Sequence, residues 1–156
     1  MCGIVGLLVK NPELRDRLGA LMVPMLVGMT DRGPDSAGLA VYTTPVSERH
    51  HKLSLYSGET AVDWSELLER IAADFSHAHE IATHGNHAVL TSAADPDRLV
   101  AWLARNAPVI AVLSVGQSID LYKDVGAPAD IAQRYDFKAL QGSHLVGHTR
   151  DRKSVV

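Results

Sequence analysis

An apolar run that begins at the second residue limits the folds open to this chain. Residues 2–10 read CGIVGLLVK, a stretch rich in Ile, Val and Leu that Gly3 and Gly6 interrupt. A short continuous apolar run of this kind is typical of a buried strand. The sequence therefore predicts a strand that starts almost at the N-terminus and holds Cys2 at the end of a rigid element.

The rest of the chain alternates between helical and strand patterns. Asn11 and Pro12 open a predicted amphipathic helix that continues to Met29, with a kink or break at Pro24, which lacks a backbone N–H. Further helices are predicted at residues 64–75, 95–103 and 127–135. Strands are predicted at residues 37–43, 52–56, 87–91, 109–115, 118–122 and 145–149, the first two as a pair. The alternation indicates a mixed α/β fold.

Length and composition exclude several classes of protein. The 156 residues suit a single domain, and the one cysteine excludes an internal disulfide. A formal charge of −3 gives no electrostatic reason to expect a nucleic-acid partner, and no apolar run has the length of a membrane span. The N-terminus lacks the pattern of an export signal. We therefore expect a cytoplasmic protein with no membrane partner.

The position of Cys2 directly after the initiator methionine suggests a chemical role. If Met1 is removed, the free α-amino group of Cys2 can act as the base for its own thiol. The alternative is that Cys2 is only a small apolar residue at the start of a buried strand. Position alone favours the structural alternative, and the motifs elsewhere in the sequence reverse this preference.

Three segments together resemble the signatures of class II glutamine amidotransferases, which are N-terminal nucleophile hydrolases. They are CGIVG at residues 2–6, DRGPDSAG at residues 31–38 and GHTR at residues 147–150, in the order found in that family. The resemblance spans residues 1–150 and implies a partial glutamine amidotransferase domain. Its expected fold is a sandwich of antiparallel sheets and helices, incomplete at the C-terminus.

The resemblance also implies roles for individual residues. Cys2 would attack the side-chain amide of glutamine, and Arg150 would bind the substrate α-carboxylate through its planar fork of donors. Arg32 and Gly33 match the turn that shapes the substrate pocket. The alternative for this turn is structural, because glycine also permits a tight entry into the next strand. No cofactor is implied.

A long segment between the second and third motifs resembles the amidotransferase subunits of glutamate-synthase-like complexes, including those that make N-methylglutamate. On this basis residues 51–137 are interpreted as a subfamily insert with no residue in contact with Cys2. The implied partners are glutamine and the synthase subunits of a hetero-complex.

The chain departs from the family after Arg150. It contains no Asn-Gly dipeptide, the pair that forms the oxyanion hole in the family, and no acidic loop for the substrate amino group. Residues 151–156 are interpreted as a non-native tail, because their back-translation resembles a sequencing adapter. We therefore expect an N-terminal fragment that exposes apolar surface on the sheet carrying Cys2 and is incompetent as a glutaminase.

Two other functions remain open. A non-catalytic interaction subunit would keep the fold without the chemistry. A metal-binding module would use histidines, whose spacing at His77 and His79 and at His84 and His87 suits imidazole ligands, with His50 and His51 nearby. Histidine pairs on polar loops are more often solvated, so we predict no metal site.

Overall fold

A computed structural model describes residues 2–151 and shows a mixed α+β chain. Within these residues, two antiparallel four-stranded sheets are accompanied by four α-helices. The strands are β1 (Cys2–Leu8), β2 (Ser36–Tyr42), β3 (His51–Tyr56), β4 (His79–His84), β5 (His87–Ser92), β6 (Ala111–Gly116), β7 (Ile119–Val125) and β8 (His144–Arg150). The α-helices are α1 (Leu18–Val27), α2 (Trp64–Asp74), α3 (Pro96–Asn106) and α4 (Pro128–Arg134). Short 3-10 turns cover Pro12–Arg17, Thr30–Arg32 and Phe137–Ala139.

The first of two compact units includes residues 2–44 and 121–151. Its sheet has the order β1-β8-β2-β7, so the first and last strands are neighbours. Helices α1 and α4 pack on one face of this sheet. The bare backbone of Gly147 lets α1 approach closely, since a Cβ there would lie 3.0 Å from a methyl of Leu26 and 3.1 Å from that of Met22. Apolar burial between helices and sheet therefore forms the core of this unit.

The other face of the same sheet is exposed. Along β1, buried Gly3 is followed by Ile4 and Leu8, which are 75% and 63% exposed, and Val146 of β8 is also exposed. We call this surface the open face. It is formed by the alternate residues Cys2, Ile4, Gly6, Leu8, Ser36, Gly38, Ala40, Tyr42, Lys123, His144, Val146, His148 and Arg150. The structure thus shows the exposed apolar sheet face that the sequence analysis predicts.

The second unit, residues 45–120, has its own sheet and core. Its strands follow the order β4-β5-β3-β6. Both of its helices begin at an aspartate N-cap: Asp63 accepts hydrogen bonds from the backbone of α2, and Asp95 accepts one from the backbone of α3. The indole N–H groups of Trp64 and Trp102 donate to the Gly85 carbonyl and to an oxygen of Asp74, so both rings are buried with their polar atoms satisfied.

The structure corrects two predictions about strand organisation. The predicted pair β2 and β3 is wrong, because β2 lies between β8 and β7 while β3 lies between β5 and β6. Strand β4 was missed, since its polar sequence lacks an apolar run and it occupies the edge of its sheet. It pairs with β5 through a tight turn at Gly85, whose φ of +62° favours glycine.

The first predicted helix also differs in detail. Residues Pro12–Arg17 form a 3-10 turn, and α1 then runs through Pro24 to Val27 without a break. A break at Pro24 is therefore excluded, and a kink there stays a prediction. None of the helices within residues 2–151 is long and apolar enough to cross a membrane.

The second unit overlaps the predicted insert without sharing its bounds. Helix α4 and Phe137 fall inside residues 51–137 but pack in the first unit, where Phe137 is completely buried. The assignment of residues 51–137 as a family insert stays a prediction. Met1 and residues 152–156 lie outside the described part of the chain, so the predicted removal of Met1 and most of the predicted tail fall there.

Candidate active site

Strands β1 and β8 place Cys2 directly beside Arg150. The two residues are opposite each other in the antiparallel register, and Ser36 of β2 lies opposite Arg150 on its other side. Directly opposed residues have side chains on the same face, with Cβ atoms about 4.5–5.5 Å apart. Cys2 is exposed and its thiol is free. The residue with the predicted nucleophilic role and the one predicted to bind a carboxylate are therefore neighbours on the open face.

The turn that contains Gly33 is attached to the end of β8. A Cβ at Gly33 would lie 2.4 Å from the backbone nitrogen of Arg150 and 2.6 Å from the carbonyl carbon of Thr149. Pro34 forms a parallel bridge with Arg150, and the N–H of Asp35 donates to the Arg150 carbonyl over 3.1 Å. Only a residue without a side chain allows this approach. Gly33 therefore sets where the Arg150 backbone lies.

Arg32 lies beside the start of β1, but at the helix-covered face. A Cβ at Gly3 would lie 3.1 Å from the Cβ of Arg32 and 3.2 Å from that of Met29. The hydroxyl of buried Thr149 donates to the Met29 carbonyl over 3.1 Å, which ties the same turn to β8. Because neighbouring strand residues point to opposite faces, the Gly3 side of the strand is turned away from Cys2. The four predicted site residues thus meet at one end of the sheet, with Arg32 on the side opposite the thiol.

His148, which is not among the predicted site residues, also lies on the open face. It lies two residues before Arg150 on β8 and directly opposite both Ile4 and Gly38. Its imidazole lies over the bare backbone of Gly38, where a Cβ would come within 2.6 Å of the ring carbon Cε1. Burial, followed by the positive charges of Lys123 and Arg150, lowers the pKa of His148 below its ordinary value. The ring is therefore uncharged at neutral pH.

This lowered pKa predicts a pH dependence of stability. In the unfolded chain a histidine titrates near pH 6.5. Because His148 binds a proton less readily in the folded state, the free energy of unfolding should fall as the pH falls through about 6.5 toward the lower folded pKa. Urea unfolding of the chain and of His148→Gln across this range tests it. Parallel curves for the two proteins would contradict the prediction.

Local contacts are seen for His50, His79 and His87, three of the six histidines considered as metal ligands. The rings of His79 and His50 are within hydrogen-bond distance of the Phe75 carbonyl and the Ser47 hydroxyl. His87 is buried and pairs with the Asn86 amide. Among residues 2–151, no three His, Cys, Asp or Glu side chains are grouped so that they could hold a metal ion. The metal-binding alternative therefore lacks a ligand set in this part of the chain.

Each compact unit contains a polar network around a buried aspartate. Lys52 and Asp120 form an ion pair within the second unit. In the first unit Asp124 accepts hydrogen bonds from the Tyr135 hydroxyl and, over 2.6 Å, from Arg134. Burial and the bond to Asp124 raise the pKa of Tyr135 to about 12. The charged groups of both networks are paired with a group of opposite charge, so we assign both networks a structural role. Helical and strand periodicity carry no signal for such pairs, since their members are distant in sequence or in different elements.

Comparison with known proteins points in the same direction as the motifs. The chain is 42% identical over 153 residues to the glutamine amidotransferase-like protein GlxB of Rhizobium meliloti, which covers 96% of this chain and 50% of that protein. It is 31% identical over 159 aligned positions to a protein of Methanothermobacter thermautotrophicus named "Putative glutamine amidotransferase", which covers 96% of this chain and 52% of that protein. No protein-family model matches the chain. The chain spans about half the length of these curated relatives, and the similarity supports a relationship to the glutamine amidotransferases.

Proposed function

We propose that this chain carries the nucleophile of a class II glutamine amidotransferase that releases ammonia from glutamine. The observation that carries the proposal is the register of β1 and β8, which pairs an exposed cysteine thiol with an arginine. The carboxylate and the side-chain amide of glutamine are separated only by a short carbon chain. A thiol and a guanidinium on adjacent strands suit both ends of such a substrate.

The proposed reaction has two steps. The Cys2 sulfur forms a bond to the amide carbon of glutamine, and the carbon–nitrogen bond breaks to release ammonia and leave a glutamyl thioester. Water then attacks the thioester carbon, which releases glutamate and restores the thiol. The α-amino group of Cys2 would take the thiol proton and deliver it to the leaving nitrogen, which requires removal of Met1. The mass of the intact purified protein tests this requirement, and retention of Met1 in most molecules would contradict the mechanism.

Arg150 would hold the α-carboxylate while Gly33 and the turn at Arg32 shape the pocket. A planar guanidinium presents two parallel donors to a carboxylate, which adds orientation as well as affinity. The backbone contacts between the turn and the end of β8 keep Arg150 opposite Cys2. The turn thus acts on the substrate through the position of the arginine.

The rest of the catalytic machinery is proposed to come from sequence outside these 156 residues. The chain contains no Asn-Gly pair, while the relatives are about twice the length of the matched region. A second layer of a sandwich, of the kind found in N-terminal nucleophile hydrolases, would cover the open face and its exposed Ile4 and Leu8. The ammonia acceptor would belong to a synthase partner in the cytoplasm. We expect little ammonia release from the 156-residue chain alone, because missing an oxyanion donor commonly costs about 10²–10³ in rate.

Covalent capture tests the proposal without requiring full turnover. A glutamine analogue with an electrophilic carbon in place of the amide should label Cys2, and free glutamine should slow this labelling. Peptide mass spectrometry identifies the modified residue. Labelling that glutamine does not slow would overturn the proposal. It would favour the non-catalytic interaction subunit, for which the exposed apolar side chains of the open face would be the contact surface.

Arg150→Gln should weaken binding of the glutamine analogue more than it slows the reaction of the analogue with the Cys2 thiol. Loss of a charge-assisted contact to the carboxylate removes about 1.5–3 kcal/mol, so the analogue concentration for half-maximal labelling should rise about 10- to 100-fold. The maximal labelling rate should change much less. Arg49→Gln, which removes an exposed arginine in the second unit, is the matched control and should behave as the unmodified chain does. Equal concentration dependence for both variants would remove Arg150 from the site.

A further inference from the structure

The open-face strand residues that are charged at neutral pH are Lys123 and Arg150, and both are positive. His148 and Arg150 are two residues apart on β8 and therefore lie on the same face. Lys123 of β7 lies on this face too, because its neighbours Tyr122 and Asp124 are buried on the helix side. None of the open-face residues of β1, β2, β7 and β8 is a carboxylate. Cys2 lies at the edge of this positive region, opposite Arg150.

Lys123 and Arg150 both act on the same imidazole. A Cβ at Gly38 would lie 2.6 and 2.9 Å from ring atoms of His148 and 3.1 Å from the carbonyl oxygen of Tyr122. The ring of His148 thus leans from β8 across β2 toward β7, where Lys123 follows Tyr122. Arg150 is the next residue of β8 on the same face. The imidazole is therefore near enough to both cations for their charges to lower its pKa.

We propose that Lys123, His148 and Arg150 form one anion-binding patch that draws a carboxylate-bearing ligand to the Cys2 thiol. Arg150 supplies the bidentate contact, Lys123 adds a second cation, and the ring of His148 supplies a neutral donor on the same face. With glutamine as the ligand the inference rests on the proposed function and extends its carboxylate site by two residues. The attraction of the patch for anions in general does not depend on that function.

The attraction of this patch for anions can be measured through the alkylation rate of Cys2. Iodoacetate and iodoacetamide both alkylate a thiolate, but only iodoacetate carries a carboxylate. The ratio of their rates at Cys2 therefore reports attraction of an anion to the thiol, while the fraction of thiolate cancels. Every cysteine signal comes from one position, because the chain has no other cysteine.

At neutral pH we expect Arg150→Gln and Lys123→Gln each to lower the rate ratio about two- to five-fold, the effect of a single exposed charge. Lys138→Gln removes an exposed lysine from the 3-10 turn that packs against α1, on the helix side, and is the matched control. It should leave the ratio unchanged. A Lys123→Gln ratio equal to that of the unmodified chain would overturn the patch and leave Arg150 acting alone.

Lowering the pH distinguishes the contribution of His148 to the rate ratio from the contributions of Lys123 and Arg150. As the pH falls through its lowered pKa the ring gains a charge, and the ratio should rise about two- to five-fold. The other titratable or charged groups on the four strands of this face are Cys2, Tyr42, Lys123, His144 and Arg150, with Asp35 and Asp151 at the strand ends. In His148→Gln the rise should be absent. A rise of equal size in this variant would exclude His148 from the patch.

Gly38→Ala tests whether the His148 ring must lie over the bare backbone of Gly38. The added methyl cannot share space with the imidazole, so the displaced ring should regain contact with water and the rise in the ratio should occur at a higher pH. Gly6→Ala is the control, because a Cβ there meets only the Leu145 carbonyl at 3.8 Å. Circular dichroism of both variants establishes folding. If the alkylation ratios follow these expectations while glutamine fails to protect Cys2, the patch stands and glutamine is excluded as its ligand.

Discussion

Replacing Cys2 by serine should reduce formation of the covalent adduct with a glutamine analogue by about 10³-fold or more. Removing a nucleophile from a catalytic site typically costs at least this much, because no other group can form the intermediate. Serine keeps the size of the side chain but lacks the easily ionised thiol. Mass spectrometry of the reacted protein provides the measurement, and the chain contains no other thiol that could contribute.

The same substitution should leave the fold intact. Cys2 is exposed at the start of β1, and substitutions at exposed positions usually change the free energy of unfolding by less than about 0.5 kcal/mol. Urea unfolding of Cys2→Ser therefore acts as the control for the labelling experiment. Adduct formation at another residue at an undiminished rate would show that Cys2 is not the nucleophile.

Gly33→Ala should have the second large effect, on both stability and the site. The new Cβ would lie 2.4–2.7 Å from backbone atoms of Thr149 and Arg150, and backbone cannot swing aside as the end of a flexible side chain can. Overpacking of this kind costs about 1–3 kcal/mol. Because the turn must move away from β8, Arg150 should shift relative to Cys2. We expect weaker protection of Cys2 by glutamine as well as a lower urea midpoint.

Gly6→Ala provides the matched comparison on the same sheet. Its Cβ would point to the open face and meet only ordinary van der Waals contact, so the urea midpoint should change little. The two glycines differ in what lies next to the position of the missing Cβ. At Gly33 it is the backbone of β8, and at Gly6 it is only the Leu145 carbonyl at an ordinary contact distance. Equal destabilisation by both substitutions would show that the loss at Gly33 does not come from its contact with β8, since the lower backbone entropy of unfolded alanine chains by itself favours folding.

Most elements of the fold were predictable because they repeat a local pattern. The apolar run after Cys2 is β1, and the aspartates at residues 63 and 95 stand directly before the two helices of the second unit. Such signals depend only on neighbours along the chain. Strand β4 escaped prediction because an edge strand with one exposed side does not need an apolar run.

Pairing between strands was much harder to predict. The sequence suggests that β2 pairs with β3, since strands adjacent in sequence often pair. The structure instead pairs β2 with β8, more than a hundred residues away. Nothing local favours this choice, because register and partner depend on which faces are buried together.

The residue types could be known before the fold: a single thiol at residue 2, an arginine at residue 150 and glycines at residues 33 and 38. That β1 and β8 are neighbours, in a register that sets Cys2 opposite Arg150, is visible only in the folded chain. The folded arrangement also places His148 over Gly38, where the charges of Lys123 and Arg150 act on its ring. The physical reason is that residue types are read one position at a time, while distance and local charge depend on strands that meet only when the whole core forms.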